Sequence, residues 1–174
     1  MTVAESLSRN NILLVTTLKK NYMASIGTMQ SELSTSVKKI GYITINKPYN
    51  NLLLDLAKRN IDKKKFYFVD AITATAMAPP IVTDCLFVAS PSALTDIGMA
   101  FSSLLSEKNC DLVFFDTIST LMVYEDIGSV IKFVHNLVTK ARVTGKKVVF
   151  MSLTEDSEAL IKDLNMFVDE VIEI

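Results

Sequence analysis

The sequence predicts an α/β protein with a doubly wound, mainly parallel β-sheet and helices on both faces. Short apolar runs alternate along the chain with longer segments that place apolar residues at helical spacing. Hydrophobic residues make up 49% of the chain, which suits strands that are buried on both faces. The length of 174 residues fits one domain. Residues 1–174 are therefore predicted to form a single domain, with residues 1–10 as a polar N-terminal extension.

The first half of the chain predicts three strands. Residues 11–17 (NILLVTT) are continuously apolar and rich in β-branched side chains, which indicates a strand buried on both faces. Residues 19–36 follow with apolar side chains at helical spacing. Residues 41–46 (GYITIN) predict the second strand, and a proline at a first helical position opens a helix over 48–60. Residues 66–70 (FYFVD) predict the third strand.

The segment after the third strand differs in composition from its surroundings. Residues 71–83 are small, uncharged and contain two prolines, so they are predicted to form a loop or lid. A fourth strand over 85–89 ends at Ser90-Pro91-Ser92, which is a typical helix start. Residues 111–116 (DLVFFD) predict the fifth strand, and residues 126–143 predict the longest helix, with a continuous apolar stripe.

The last third of the chain completes the pattern. Gly145 is the expected C-terminal stop of the long helix, and residues 147–153 (KVVFMSL) predict the sixth strand. A short helix over 156–164 and a last strand over 170–174 close the chain. Regular alternation of strands and helices predicts parallel pairing through right-handed crossovers.

Composition also limits the classes of partner. The net charge of −1, from 18 basic and 19 acidic residues, does not favour nucleic acid or a membrane surface. The cysteines, Cys85 and Cys110, lack the CxxC spacing of a zinc site and are expected to be reduced, buried thiols. The N-terminus has no signal-peptide pattern, and no apolar run approaches the roughly 20 residues of a membrane span. A cytoplasmic location is therefore expected.

Open α/β sheets bind ligands at the carboxyl ends of their strands, which directs attention to the residues there. Lys19, Lys20 and Asn21 follow the first strand, but no glycine precedes Gly27 and no Lys-Ser/Thr pair is present. A phosphate-binding loop needs glycines because its backbone amides must curl around the phosphates. Two alternatives stay open: the lysines are solvated residues of the first helical turn, or they form a residual anion site at a helix N-terminus.

Three further strand ends carry polar candidates. Asn46 and Lys47 follow the second strand, where an ATPase would need a carboxylate to activate water. Asp70 ends the third strand and is expected to cap the next turn or to add polarity to the cleft. Asp116 ends the fifth strand in the manner of a Walker B aspartate, which reaches magnesium through water. The alternative is that Asp116 only caps the following turn.

The remaining chemistry-bearing residues predict no catalytic site. His135 lies within the long helix without a sequence-adjacent Ser, Cys or acidic partner, so it is expected to be structural. The candidate cofactor-binding residues form a vestigial nucleotide site at the strand ends, and Asp116 is also the candidate metal ligand. They are Lys19, Lys20, Asn21, Asn46 and Asp116.

Two long segments and one short one resemble the archaeal KaiC-like ATPases of the RecA superfamily. Residues 41–73, which include YITINKPYNNLLLDLAKRNIDKKKFYFVDAIT, resemble the region from the second to the third strand of that family. Residues 111–155, which begin DLVFFDTISTL, are similar to its Walker B strand, long helix and next strand. Residues 90–97 (SPSALTDI) resemble the start of another helix in the family. The resemblance covers most of the chain from residue 11 onward.

The departures from the family are as informative as the matches. The family's Walker A loop should lie near residues 16–20 and is absent, and its catalytic glutamates should lie at Asn46 and Lys47, where they are replaced. Only Asp116 matches a catalytic position. The resemblance therefore implies a degenerate member without ordinary ATP turnover, and with at most weak binding of nucleotide or magnesium. Because relatives assemble as rings or filaments, it also implies a protein partner or self-association.

Three functions follow as hypotheses. The first is a non-catalytic pseudo-ATPase that regulates or scaffolds through protein contacts. It would have an exposed apolar patch near residues 77–81 or on the predicted helix within residues 19–36. The second is a binder of nucleotide or a phosphorylated ligand with an unconventional site at Lys19, Lys20, Asn21 and Asp116. The third is a DNA-repair accessory protein, which would bind DNA in a salt-sensitive manner.

Overall fold

The computed structural model describes residues 2–155 and 158–174 of the chain. Its strands coincide closely with the apolar runs of the sequence. They are β1 (Ile12–Thr17), β2 (Ile40–Thr44), β3 (Phe66–Asp70), β4 (Cys85–Phe87), β5 (Leu112–Asp116), β6 (Lys147–Leu153) and β7 (Glu170–Glu173). They form one seven-stranded sheet in the order β4-β3-β2-β5-β6-β1-β7. Every pairing in this sheet is parallel.

Seven α-helices connect or precede these strands in the described part of the chain. They are α1 (Val3–Leu7), α2 (Tyr22–Ser36), α3 (Tyr49–Lys58), α4 (Thr73–Ala76), α5 (Leu94–Leu105), α6 (Ile127–Thr144) and α7 (Glu158–Leu164). None of the described helices is long and apolar enough to cross a membrane. The predicted start of the last helix at Asp156 lies outside the described residues.

The helices cover both faces of the sheet, as the sequence predicted. One buried cluster joins alternate strand residues such as Leu14, Val113 and Phe150 to the apolar sides of α5, α6 and α7. The other joins residues that point the opposite way, such as Leu13 and Phe114, to α1, α2 and α3. Because successive strand residues face opposite sides, a strand covered on both faces has to be apolar throughout. The prediction of a doubly wound α/β fold is confirmed.

Local signals set both ends of helix α6. Asp126 caps α6 by accepting a hydrogen bond from the Ser129 amide at 3.0 Å. Gly145 ends the same helix with a φ of 65°, a left-handed conformation that favours glycine. Gly41 in β2 allows a close approach, since a Cβ there would lie 2.8 Å from the Leu104 Cδ1 atom of α5.

Several details differ from the sequence-based predictions. Helix α2 begins at Tyr22 rather than at residue 19, because Lys19–Asn21 forms a separate 3-10 turn. Residues 1–10 are not simply a polar extension: Thr2 and Glu5 form a capping box for α1, and Val3 and Leu7 are buried in the core. The predicted loop contains the short helix α4, and β4 ends at Phe87, two residues earlier than expected.

Both cysteines lie in the core, as expected, and form no disulfide. Burial raises the pKa of the Cys110 thiol to about 11, and burial also raises the pKa of Cys85. Both side chains therefore stay protonated at neutral pH and behave as small apolar groups.

Candidate functional site

The carboxyl ends of the central strands bring the predicted site residues to one edge of the sheet. Strands β2 and β5 are neighbours, and Thr44 lies directly opposite Asp116 in their register. Strand β6 separates β5 from β1, so the end of β1 lies two strands away from Asp116. Side chains that follow β1 must therefore reach across the end of β6 to meet the carboxyl group.

Asp116 lies at the centre of a buried hydrogen-bond network. Its side chain has no solvent exposure. The Tyr22 hydroxyl donates to Asp116 Oδ1 at 2.6 Å, and the Tyr42 hydroxyl donates to Oδ2 at 2.7 Å. Tyr22 is the first residue of α2, and Tyr42 belongs to β2. Each carboxyl oxygen thus already has a partner supplied by the protein.

Asn46 extends this network toward the loop that follows β5. Its Nδ2 atom lies 3.3 Å from the Tyr22 hydroxyl and 3.3 Å from Thr117 Oγ1, and it donates to both. Thr117 Oγ1 is also 2.9 Å from the hydroxyl of Thr120. The peptide bond between Asp116 and Thr117 is cis. Asn46 and Asp116 are therefore brought together, as predicted, but Tyr22 lies between them.

Burial dominates the electrostatics of the network. It raises the pKa of Asp116, and the hydrogen bonds from Tyr22 and Tyr42 only partly oppose this effect. Burial also raises the pKa of both tyrosines, and the nearby Asp116 raises it further. Both phenols therefore keep their protons and remain hydrogen-bond donors at neutral pH.

The raised pKa of Asp116 predicts a pH-dependent stability. The pKa of Asp116 is higher in the folded state than the value of about 3.9 in the unfolded state, so protonated Asp116 stabilises the fold. This contribution to the free energy of unfolding is complete below the unfolded-state pKa. The contribution is lost as the pH rises through the folded-state pKa, at about 1.4 kcal/mol per unit of difference. We expect Asp116→Asn to remove this loss, since the amide does not ionise. Urea unfolding of both proteins between acidic and neutral pH measures the effect.

An exposed carboxyl group provides the control for this experiment. Asp163→Asn changes a solvent-exposed aspartate of α7 and should leave the pH profile of unfolding close to that of the wild type. Parallel pH profiles for the wild type and Asp116→Asn would contradict the assignment.

The junction between β1 and α2 is short and differs from a glycine-rich phosphate-binding loop. Only Leu18 and the 3-10 turn Lys19–Asn21 separate the two elements, and the turn contains no glycine. A phosphate-binding loop needs a longer glycine-rich segment whose amides converge on the phosphates. The side chains of the turn are exposed to solvent, and the Lys19 amide donates to Glu155 Oε2 at 2.8 Å.

The residues at the family's glutamate positions are also engaged within the protein. The Lys47 ammonium lies 2.5 Å from Asp55 Oδ2 in an ion pair that is largely buried. The Lys47 amide donates to Thr44 Oγ1 at 3.0 Å, and the same hydroxyl donates to the Lys47 carbonyl at 2.9 Å. This position therefore presents no carboxylate that could activate a water molecule.

The other predicted residues are placed as follows. Asp70 caps the turn after β3, as expected, and accepts hydrogen bonds from the amides of Ile72 and Thr73. Asp116 does not act as a turn cap in this way, because its described partners are the two tyrosines. His135 is exposed, and its ring centroid lies 4.6 Å from that of Phe167. The described residues contain no group of three or more His, Cys, Asp or Glu side chains that could hold a metal ion.

Sequence reasoning missed the two residues that define the site. The sequence pattern places Tyr22 in a helical segment and Tyr42 in a strand, and neither pattern connects them to Asp116. The register of β2 against β5 contains a usable signal, because Tyr42 pairs with Phe114, which lies two residues before Asp116 in β5.

Exposed apolar side chains lie at the two places suggested by the sequence. Met77 is 63% exposed and Ile81 is fully exposed, both in the segment after β3. Met23 on α2 is 50% exposed. Contiguous exposed apolar surface commonly marks interaction sites.

Comparison with known proteins supports the fold. No family model and no curated protein matches the sequence. Among solved structures, the chain is similar to a KaiC-like protein from the hyperthermophilic archaeon Pyrococcus horikoshii OT3, with a TM-score of 0.67 and 11% identity. The match covers 94% of this chain and 70% of the other. This chain therefore has the doubly wound α/β fold of a KaiC-like, RecA-type core.

Proposed function

We propose that this chain is a non-catalytic, KaiC-like pseudo-ATPase that acts as a regulatory or scaffold protein through contacts with other proteins. The observation that carries the proposal is the state of Asp116. A Walker B aspartate acts by presenting its carboxylate to magnesium through water. Here the carboxyl group is buried, and the Tyr22 and Tyr42 hydroxyls bond both of its oxygens.

The surroundings of Asp116 support the same proposal. Strand β1 passes into α2 through four residues, so the phosphate cradle of an active relative has no counterpart. The position next to Asn46 carries a lysine where an active relative has a carboxylate. Lys47 forms an ion pair with Asp55. The short β1–α2 junction, the Lys47–Asp55 ion pair and the buried Asp116 thus each support the proposal that this chain does not hydrolyse ATP.

Exposed apolar surface supports a role in protein contacts. Met77 and Ile81 lie in a segment that has no charged residue between Ala71 and Thr83. Exposing these side chains costs free energy in water, which a protein partner would recover by covering them.

Thermal unfolding with and without millimolar Mg-ATP, ADP and AMP tests the proposal. A ligand at about 100 times its Kd adds roughly 2.7 kcal/mol, which corresponds to a rise in Tm of about 5–10 °C for a chain of this size. We expect no rise with any of the three nucleotides. We also expect no ATP hydrolysis above that of Asp116→Asn.

Paired lysine variants identify the source of any rise in Tm. Lys19→Ala/Lys20→Ala alters the turn before α2, and Lys38→Ala/Lys39→Ala alters exposed lysines at the opposite end of the sheet. A rise in Tm that persists in the second variant and disappears in the first would contradict the proposal. It would favour the alternative of a phosphorylated-ligand binder.

A further inference from the structure

The segment from residue 77 to residue 84 forms an unusual surface at the β4 edge of the sheet. It connects α4 to β4, and its exposed side chains are apolar or uncharged up to Asp84. Tyr49, at the start of α3, lies beneath it and donates a hydrogen bond from its hydroxyl to Asp84 Oδ1 at 2.6 Å. This hydrogen bond ties the end of the segment to the body of the protein.

Two cavities open beside this segment and share Tyr49 as a wall. The smaller has a volume of about 160 Å³, and Tyr49, Met77, Pro80 and Phe87 are among its lining residues. The larger has a volume of about 510 Å³, and Tyr49, Ile81 and Val82 are among its lining residues. An apolar cavity of about 150 Å³ accepts a group the size of a benzene ring. The smaller cavity therefore fits one aromatic or long aliphatic side chain.

Positive charge borders the larger cavity. Lys63 and Lys64 line it and are exposed, and in the described part of the chain neither ammonium group has a hydrogen bond or an ion pair. The nearby carboxyl groups are already engaged: Asp62 Oδ1 accepts from the Lys64 amide at 3.0 Å, and Asp84 Oδ1 accepts from Tyr49. The surface thus combines an apolar cavity with two unpaired cations.

We propose that this docking surface, formed by residues 77–84 with Tyr49, Lys63 and Lys64, binds an acidic segment of another protein. The segment inserts an aromatic or long aliphatic side chain into the smaller cavity, and its carboxylates lie near the two lysines. The inference builds on the proposed function, since it names the kind of partner that a protein-binding pseudo-ATPase would engage at this edge of the sheet.

The shape of the surface favours a protein segment over a lipid bilayer. A bilayer accepts protruding apolar side chains without needing a cavity, whereas an anchor residue of a protein fills one. A planar layer of anionic headgroups cannot fill the cavity and meet the two lysines with the shape of one side chain. An acidic peptide can instead place its carboxylates directly at Lys63 and Lys64.

Selection from a displayed library of random peptides tests the proposal. We expect the enriched peptides to combine an aromatic or long aliphatic residue with nearby Asp or Glu. The affinity of one synthetic enriched peptide, measured by fluorescence anisotropy, should fall roughly tenfold for Lys63→Ser/Lys64→Ser. It should fall at least about thirtyfold for Ala78→Trp, which fills the smaller cavity. Higher salt should weaken binding to the wild type.

Matched variants separate specific effects from general ones. Lys132→Ser/Lys162→Ser removes two exposed lysines of α6 and α7, and Val143→Trp adds an indole at an exposed position of α6. Both should bind the peptide as the wild type does. Ile81→Ser changes a fully exposed side chain, so it should leave folding intact and lower the affinity for the peptide.

Several results would overturn the inference. They are failure to enrich any peptide, enriched peptides without acidic residues, and equal loss of affinity in the control variants. If the wild type instead cosediments with phosphatidylcholine–phosphatidylserine vesicles while Ile81→Ser does not, that result would assign the surface to a membrane. Nucleotide-dependent thermal shifts test the proposed function separately, so peptide binding can fail while the pseudo-ATPase proposal stands, and the reverse also holds.

Discussion

Replacement of Tyr42 by alanine is expected to lower the free energy of unfolding by about 3–5 kcal/mol, as is usual for the loss of a large buried ring. Tyr42 has no solvent exposure, and its ring centroid lies 5.1 Å from that of Phe114 in an edge-on arrangement. It also contacts Phe68, at 6.0 Å between centroids. Alanine would leave a cavity at the centre of the sheet and would remove one of the two donors to Asp116. Urea unfolding measures the loss.

Comparison of two phenylalanine variants isolates the hydrogen bonds from the packing. Tyr42→Phe keeps the ring but leaves Asp116 Oδ2 without its described donor in a site closed to water, at a cost of about 1–3 kcal/mol. Tyr22→Phe should cost less, because Tyr22 is only half-buried and water can replace its hydroxyl. Equal losses of unfolding free energy in the two variants would contradict the view that water cannot reach Asp116 Oδ2 beside Tyr42.

Combining Tyr42→Phe with Asp116→Asn measures their coupling directly. Residues that share a hydrogen bond usually give non-additive losses of about 0.5–3 kcal/mol. Additive losses would mean that the Tyr42 hydroxyl contributes little to holding Asp116.

The strands and most helices could be predicted from the sequence because burial on both faces leaves a simple pattern. A strand such as β5 has no solvent-exposed residue, so its sequence is an uninterrupted apolar run that ends at Asp116. The start of α2 was less predictable. Lys19 and Lys20 suit either a helical turn or a 3-10 turn, and only packing against the end of the sheet decides between them.

The partners of Asp116 could not be predicted in the same way. Tyr22 and Tyr42 are 94 and 74 residues away in the sequence, so no local pattern connects them to it. Their contact depends on strand order and on the orientation of α2, which tertiary packing determines. The missing glycines and glutamates are local features of the sequence, whereas the side chains that surround Asp116 became visible only in three dimensions.

The segment after β3 could likewise be predicted only in part from the sequence. Its uncharged composition predicted an exposed loop, and Met77 and Ile81 are indeed exposed. Composition could not reveal helix α4, which has only four residues. Asp70 begins this turn by accepting hydrogen bonds from two successive amides, so a single buried carboxyl group organises what the sequence presents as an irregular stretch.

Replacement of Asp70 by alanine is therefore expected to cost about 3–5 kcal/mol of stability. Asp70 is completely buried, and it accepts hydrogen bonds from the amides of Tyr49, Ile72 and Thr73 at 2.7, 2.7 and 2.9 Å. Alanine would leave these three amides and the Thr73 hydroxyl without their described partner. Each buried donor left unpaired costs about 1–3 kcal/mol before water or local rearrangement recovers part of the loss. Chemical unfolding of the purified variant gives the free-energy difference.

An exposed aspartate with a similar local role is the matched control. Asp62→Ala also removes a carboxyl group that accepts from a backbone amide, that of Lys64, but it does so at an exposed turn where water can take its place. Its cost should be about 1 kcal/mol or less. A loss for Asp70→Ala as small as that for Asp62→Ala would show that the buried amides find other partners.

The same variant connects stability to the docking surface. Asp70 holds the Tyr49 amide and both the amide and hydroxyl of Thr73, and these two residues line the smaller cavity. If Asp70 holds the lining residues of that cavity in place, Asp70→Ala should lower the affinity for an enriched acidic peptide, even under conditions where the variant remains folded. Unchanged peptide affinity in the folded variant would show that Tyr49 and its hydrogen bond to Asp84 are sufficient to keep the surface in place.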